Sequence, residues 1–320
     1  MTDGEKIKMK NGIDVIIPVF RPQKELHCLL EALEDQTIKP GKIIIMNTED
    51  PKGDVFFEEN GILEKYDNIE IYSVKKEEFD HGKTRDQGIS YSQAPFFFCI
   101  TQDAVPKDRY LLENLWKSFE DPKVSVSYGR QLPRKDAHIL EEYTREFNYP
   151  KDSIRKKKED LNKLGIKTYF CSNVCAMYRR SDYDRLGGFP QKTIFNEDMI
   201  FASWVISAGL EIQYVAEAMV IHSHHYSAKE QFHRNFDLGV SQADYSEIFQ
   251  KVKSESEGIK LIQNTIRYLI SKKKAYYIPL FIYQTAWKYI GYRMGKEYRK
   301  LPLKLVYFCS MNKNYWLKKE

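Results

Sequence analysis

The residues best suited to chemistry follow the apolar runs of the sequence. Asp103 stands just after the run Phe96–Ile100, in the tripeptide Thr-Gln-Asp. A carboxylate on a loop after a buried strand can bind Mg²⁺ or Mn²⁺, which prefer oxygen ligands, and such a cation can neutralise a diphosphate. An aspartate after a strand is also common as a turn or helix cap, so this position alone leaves both interpretations open.

Three histidines, His222, His224 and His225, lie within four residues directly after the apolar run 218–221. Buried imidazoles need polar partners, so packing alone explains such a cluster poorly. On an extended segment alternate residues face the same way, which places His222 and His224 together. The cluster favours metal ligation or phosphate contact over a polar surface loop, although its spacing is not that of a structural zinc site.

Two acidic residues, Glu197 and Asp198, open a helical pattern after Asn196. Capping and the helix dipole already favour acidic residues at a helix start. In a cleft, Asp198 could also serve as a general base toward a hydroxyl. With an ordinary pKa it would be ionised at pH 7, so the sequence predicts a base that needs positioning more than adjustment of its pKa.

The segment 79–85 reads Phe-Asp-His-Gly-Lys-Thr-Arg and precedes a helical pattern at 84–92. Gly82 would permit close backbone approach, while Lys83 and Arg85 could meet phosphate oxygens at the helix start. A loop with a capped helix is an equally good interpretation of this segment on its own.

The first half of the chain predicts the strands and helices that position these residues. Short apolar runs alternate with helical patterns, which predicts βαβ units and a mostly parallel central sheet flanked by helices. The runs that predict strands are 14–19, 42–46, 69–74 and 96–100. In such sheets ligands bind beyond the carboxyl ends of the strands, so the polar residues there should face the pocket: Phe20-Arg21, 47–50 and Gln102-Asp103.

The second half of the chain has a less regular pattern. The charged stretch 136–167 is predicted to be a helical insertion or lid. A strand is expected at 174–178 and a helix at 197–208 that ends at Gly209. Two short strands are expected at 212–215 and 218–221, leading into His222.

Composition narrows the class of protein. The chain has 320 residues, of which 42% are hydrophobic and 30% charged, as in globular proteins. The net charge of +5 is small, and the basic runs lack the interleaved aromatics of a nucleic-acid groove, so no nucleic-acid partner is expected. Five cysteines without disulfide or zinc spacing predict a reducing compartment. The polar start 1–10 and the lack of a long apolar run predict a cytoplasmic protein.

Taken in order, these motifs resemble the family 2 inverting glycosyltransferases of GT-A fold, and among them bacterial rhamnosyltransferases. The resemblance rests on the early strand with proline, Phe-Asp-His-Gly-x-Thr-Arg, Thr-Gln-Asp-Ala, Gly-Gly-Phe, Asn-Glu-Asp and His-Ser-His. It covers roughly residues 12–245. It implies a GT-A catalytic domain at 1–245, with a nucleotide-sugar half at 12–130 and an acceptor half at 131–245. Residues 246–320 would form a helical, aromatic and basic extension.

The resemblance also implies roles for individual residues. Asp198 matches the catalytic base, and Asp103 with His222 or His224 matches the site for a divalent cation, Mn²⁺ or Mg²⁺. The implied donor-binding residues are Pro18, Phe20, Asn47, Glu49, His81, Arg85, Gln102 and Asp103. Two positions depart from the family pattern: Gln102 replaces one carboxylate of the usual pair, and Asn47 stands where many relatives have an aspartate against the base.

The resemblance implies single-displacement transfer of a sugar from a nucleotide donor. For the rhamnosyltransferases, dTDP-β-L-rhamnose would give an α-rhamnoside on a cell-wall or surface polysaccharide, or on its lipid-linked precursor. A transferase using a UDP-hexose or UDP-N-acetylhexosamine is one alternative. A non-catalytic nucleotide-sugar-binding protein is another, from a different class.

Aromatic residues between 276 and 289 lie between the basic runs 272–274 and 293–300. This pattern suits a membrane interface, which would place the enzyme at the inner face of the cell membrane. A helical hairpin that packs on the catalytic domain, or on a second subunit, is the alternative.

Overall fold

The runs rich in β-branched residues form the strands of one sheet. In the computed structural model, which describes residues 12–224, 226–250, 252 and 255–317, nine strands pair in the order β3-β2-β1-β4-β8-β6-β9-β5, and β7 pairs with β9. The strands are β1 (Ile13–Val19), β2 (Ile43–Thr48), β3 (Ile69–Val74), β4 (Phe96–Ile100), β5 (Val105–Pro106), β6 (Val124–Leu132), β7 (Ile154–Lys156), β8 (Cys175–Arg179) and β9 (Glu211–Ile221).

Helices cover both faces of this sheet. Their bounds are α1 (Lys24–Glu34), α2 (Pro51–Glu59), α3 (Ile62–Lys65), α4 (His81–Ser90), α5 (Leu111–Lys117), α6 (Ile139–Asn148), α7 (Leu161–Leu164), α8 (Arg180–Arg185), α9 (Glu197–Ser207), α10 (Ala228–Asp244), α11 (Ser246–Phe249), α12 (Glu255–Ser271), α13 (Ile278–Lys296), α14 (Leu303–Cys309) and α15 (Asn314–Leu317). His225, the start 1–10 and the end 318–320 lie outside the described residues.

The strands β3, β2, β1 and β4 are parallel to one another. Buried apolar side chains fill both faces of this half. Apart from Asp14 in β1 and Asn47 and Thr48 at the end of β2, the two strands are apolar rather than alternating. The register pairs Val19 with Asn47, so the carboxyl ends of β1 and β2 meet at one edge. The loop with Gln102 and Asp103 begins after β4 at this same edge. The α/β fold predicted from the sequence is confirmed.

The second half of the sheet is mixed, and it differs from the sequence prediction in two places. β9 is one strand of 11 residues instead of two short strands. Its pairing with β6 jumps from Val215 to Met219, and this irregularity accommodates the extra residues that interrupt the apolar pattern. The stretch 136–167 is helical only in part: helix α6 ends before Pro150, and β7 then joins the edge of β9.

The helices α10 and α13 pack with their backbones in contact. The seam is made of three glycines, Gly239, Gly291 and Gly295. A Cβ atom on Gly291 would lie 2.3 Å from the carbonyl oxygen of Phe232, and one on Gly295 would lie 2.0 Å from that of Phe236. This close packing crosses the proposed domain boundary at residue 245. No helix in the described parts of the chain is both long and apolar enough to cross a membrane.

The glycine seam gives a first prediction. Gly291→Ala is expected to destabilise the protein by about 1–3 kcal/mol, because the added methyl group meets a backbone carbonyl that cannot rotate away. Gly258→Ala in α12 is the matched control, since its added Cβ meets nothing within 4 Å. The control should gain about 0.5–1 kcal/mol from helix propensity. Chemical denaturation of both variants measures the difference, and equal effects would contradict backbone contact at the seam.

Candidate active site

A cleft of about 450 Å³ opens at the carboxyl edge of the sheet. Its walls come from the loop after β4, the end of β9, and the helices α6, α9, α10 and α13. Side chains of both sheet halves and of the C-terminal helices therefore face one space. Among the residues named from the sequence, the cleft is lined by His81, Arg85, Asp103, Asp198, His222 and His224.

Asp103, His222 and His224 meet at one end of this cleft. The Nε2 atoms of both histidines lie 3.5 Å from Oδ2 of Asp103. The ligand atoms of all three residues lie within 4.8 Å of one another. One carboxylate oxygen and two imidazole nitrogens are a donor set that a divalent cation accepts. The residues therefore fit a divalent cation.

The protonation states of this group suit ligation. Burial opposes the ionisation of Asp103, but the neighbouring His222 and His224 lower the pKa of its carboxyl below the ordinary range. Burial, together with the nearby His222, lowers the pKa of His224 to about 4. At pH 7 the group thus offers a charged carboxylate and a neutral His224 imidazole with a lone pair to donate.

Gln131 fixes the orientation of His222. Nδ1 of His222 lies 3.0 Å from Oε1 of Gln131, and because an amide oxygen only accepts, Nδ1 carries the hydrogen. This arrangement leaves Nε2, the ring nitrogen that faces Asp103, as the atom that can ligate a cation. The amide nitrogen of Gln131 donates to Tyr149 and Ser172, which holds the amide in this orientation. Sequence analysis missed Gln131, although a buried polar residue near the end of β6 was the available signal.

Asp198 lies at the start of α9 and lines the cleft. Its Oδ2 accepts from the backbone N–H of Asn173 at 3.0 Å, and its Oδ1 from that of Met199 at 2.7 Å. Asn196, which precedes the helix, has φ of 65°, a left-handed conformation that asparagine tolerates better than most residues. Backbone donors on both oxygens and this unusual turn hold the carboxylate at the cleft.

The expectation that Asp198 has an ordinary pKa is wrong. Burial, reinforced by the adjacent charge of Glu197, raises the pKa of Asp198 to about 7. The two backbone donors oppose this shift only in part. A carboxyl with a pKa near the working pH is a better general base than one of ordinary acidity. The surroundings of Asp198 therefore set the pKa of its carboxyl as well as its position.

Glu197 owes its charge to Arg85. Burial opposes the ionisation of Glu197, but the guanidinium of Arg85, 3.0 Å away, holds the pKa of Glu197 below its usual value. The same guanidinium donates to the backbone carbonyl of His81 at 2.9 Å. The side-chain amide of Asn173, a residue that sequence analysis missed, also donates to Glu197 at 3.0 Å. Arg85, expected near phosphates, thus already has a carboxylate partner, while Lys83 is exposed.

The expected nucleotide-side residues lie together at the ends of β1, β2 and β4. The backbone N–H of Phe20 donates to the side chain of Gln102 at 3.0 Å, and the amide of Gln102 donates back to the Phe20 carbonyl at 2.9 Å. Asn47 is buried at the end of β2, and the Phe20 ring is 39% exposed. These expected nucleotide-side residues do not line the cleft in the part of the chain that the structure describes. They are Pro18, Phe20, Asn47, Glu49 and Gln102.

A parallel half-sheet with an Asp/His group and a separate buried carboxylate at one cleft is the arrangement expected of a glycosyltransferase of GT-A fold, and similarity to known proteins identifies the class. Residues 14–187 match the model of the glycosyl transferase family 2. The chain belongs to this family. It is 38% identical over 306 residues to the O-antigen chain rhamnosyltransferase RfbN of Salmonella typhimurium, covering 95% of this chain and 96% of that protein. It is also 38% identical over 287 residues to the O-antigen chain rhamnosyltransferase WbaN of Salmonella anatum, covering 89% of each.

Two solved structures share the fold. One is the mannosyltransferase PcManGT from Pyrobaculum calidifontis in complex with GDP-Man and Mn²⁺, with a TM-score of 0.56 and 14% identity over 96% of this chain and 85% of that one. The other is residues 1–349 of TarS from S. aureus, with a TM-score of 0.53 and 16% identity over 90% of this chain and 91% of that one. At these identities the similarity concerns the fold alone.

Proposed function

We propose that the protein transfers L-rhamnose from dTDP-β-L-rhamnose to a hydroxyl of a surface polysaccharide or of its lipid-linked precursor. The observation that carries the transfer chemistry is the placement of Asp198 and the Asp103 group in one cleft. The choice of rhamnose is supported by the names of the two Salmonella relatives, which match nearly the whole chain. A UDP-hexose donor is the alternative that the shared family leaves open.

In this proposal Asp198 is the catalytic base. The hydroxyl of the acceptor gives its proton to a carboxylate oxygen of Asp198 as the hydroxyl oxygen attacks the anomeric carbon. The bond from that carbon to the diphosphate breaks in the same step, so the β-linked donor gives an α-linked product. Glu197, held by Arg85 and Asn173, acts as a positioning residue because its charge keeps Asp198 basic enough to accept a proton near pH 7.

Asp103, His222 and His224 would hold a divalent cation, Mn²⁺ or Mg²⁺. When bound there, such a cation supplies positive charge near the diphosphate that departs. Gln131 keeps His222 in the tautomer that this role needs. On the nucleotide side, we assign the wall around the base to Pro18, Phe20, Asn47, Glu49 and Gln102, with His81 and Arg85 nearer the phosphates.

A panel of donors tests the assignment. Purified protein is incubated with dTDP-rhamnose, UDP-glucose, UDP-galactose and UDP-N-acetylglucosamine, with Mn²⁺ or with EDTA, and donor hydrolysis and transfer are measured. We expect turnover with dTDP-rhamnose that depends on the cation. Preference for a UDP-sugar would contradict the donor. Binding of donors without any turnover, with acceptor present, would favour a non-catalytic binding protein.

The outer face of the C-terminal helices supports a second part of the proposal, a peripheral contact with anionic lipid at the inner face of the cell membrane. This face carries large apolar side chains that are 41–65% exposed: Leu280, Ile282, Tyr283, Tyr289 and Ile290 on α13, and Leu303 and Phe308 on α14. Exposed basic residues flank them at 272–274, Lys300 and Lys304. Aromatic and aliphatic side chains with flanking cations suit an anionic bilayer surface.

Flotation with vesicles tests the membrane contact. The double variant Ile282→Ser and Tyr289→Ser, seven residues apart on one helix face, should bind anionic vesicles about tenfold more weakly than wild type. Leu63→Ser, at an exposed site on α3, is the control and should float normally. Equal flotation of double variant and wild type would contradict the proposal, as would a dimer in solution that the double variant converts to monomer.

A further inference from the structure

Two cationic side chains line the cleft from helices beyond the part of the chain that matches the family model. Arg234 comes from α10 and Lys288 from α13, whereas the match ends at residue 187. The contact of Phe232 with Gly291 in the glycine seam joins the two helices that carry these side chains. The C-terminal helices therefore contribute a wall of the active site.

These two cations differ from the others in the cleft. Arg85 is paired with Glu197, and Arg145 is paired with Glu141 at 2.8 Å. The guanidinium of Arg234 instead lies over two rings, 4.4 Å from the centre of Phe195 and 5.8 Å from that of Tyr226. Within the described residues, no carboxylate forms an ion pair with Arg234 or Lys288. Arginine over an aromatic ring keeps its N–H groups available for an anion.

The two charges also repel each other. Burial lowers the pKa of Lys288, and although Glu141 opposes the shift, the charge of Arg234 adds to it. A fold that holds two like charges together in a partly dehydrated cleft costs free energy, which an anion of two or more charges would offset. The ring of Tyr226, over which Arg234 lies, has its centre 4.9 Å from that of His224, so Arg234 lies on the side of the cleft that holds the candidate cation group.

We propose that Arg234 and Lys288 bind the diphosphate of the nucleotide-sugar donor, so that the C-terminal helices complete the donor site. The inference rests on the proposed function in requiring a donor with a diphosphate, but not on the identity of its base or sugar. A guanidinium binds phosphate oxygens in a bidentate manner, and a lysine adds a point charge. As the bond to the sugar breaks, charge grows on the diphosphate, and both side chains would stabilise it without moving.

Nucleotide binding tests this proposal without relying on turnover. The affinities of dTDP, UDP and GDP, and of the matching monophosphates, are measured by calorimetry in the presence of Mn²⁺. Arg234→Gln and Lys288→Met should each weaken the preferred diphosphate by about 10- to 100-fold, as expected for a charged hydrogen-bonding partner. Monophosphate affinity should change less. Lys163→Met, at an exposed position on α7, is the control and should bind as wild type does.

The outcomes separate this proposal from the donor assignment. Unchanged diphosphate affinity in both variants would overturn the proposed role of Arg234 and Lys288, even if dTDP is the preferred nucleotide. Wild-type preference for UDP or GDP, with the expected losses in the variants, would contradict dTDP-rhamnose and support the role of the two cations. If Arg234→Gln does not fold, Lys288→Met and the charge-preserving Arg234→Lys carry the test. Arg234→Lys should retain an intermediate affinity.

Discussion

Asp198→Asn is expected to bind the donor with near wild-type affinity and to transfer sugar about 10²–10⁴-fold more slowly. Asparagine can still accept the backbone N–H of Asn173 or Met199 at its amide oxygen, so the local structure should persist. It cannot accept a proton from the acceptor hydroxyl. Single-turnover transfer, with donor binding measured separately, gives both quantities. Asp184→Asn, at an exposed position on α8, should be fully active.

The pH profile gives an independent check on Asp198. Because burial and Glu197 raise its pKa to about 7, the carboxyl is protonated below that pH and able to act as a base above it. The value of kcat/KM should therefore rise through pH 7 and level off at higher pH. A profile already flat from pH 5 to 8 would contradict this role, as would near-normal turnover of Asp198→Asn.

Stability separates loss of the base from loss of the fold. The pKa of Asp198 in the folded protein lies above that of an unfolded chain, which is about 3.9. The folded state therefore binds more protons, and this group makes folding less favourable as pH rises from about 4 to about 7. Asp198→Asn removes that cost, so at pH 8 the variant should be at least as stable as wild type.

Asp103→Ala is expected to abolish stimulation by Mn²⁺ and to lower metal-dependent transfer by about 10²-fold or more. Asp103 is the one carboxylate of its group, and without it two imidazoles remain. Donor binding should weaken at the same time, because the diphosphate loses the cation that neutralises it. Titration of Mn²⁺ by electron paramagnetic resonance measures the first effect directly. An unchanged titration would refute the role of Asp103, and Asp152→Ala, at an exposed site, is the matched control.

The fold was predictable where local patterns decide it. The apolar runs predicted the four parallel strands, because the inner strands of a sheet covered on both faces are mostly apolar rather than alternating. The strand β7 was not predictable, because the short, charged segment 154–156 forms a strand only by pairing with β9. The continuity of β9 was not predictable either, because it depends on an irregularity in its register with β6.

The candidate site, like the fold, could be predicted only where the local sequence determines it. Asp103, His222 and His224 stand directly after apolar runs, so their position at the strand ends follows from the local sequence. Gln131 and Asn173 act through residues far away along the chain, and no local pattern connects them. The raised pKa of Asp198 depends on burial and on the charge of Glu197, which Arg85 maintains from 112 positions away. Such effects emerge only from the tertiary structure.

The glycine seam limits how far this chain can be shortened. A version that stops at Ser271 would lack α13, and it would expose the apolar stripe of α10 that includes Phe236 and Val240. It would also lose Lys288 from the cleft. Anyone trimming the protein for crystallisation or for assay should therefore cut beyond the seam, since an earlier stop removes part of the wall of the candidate active site.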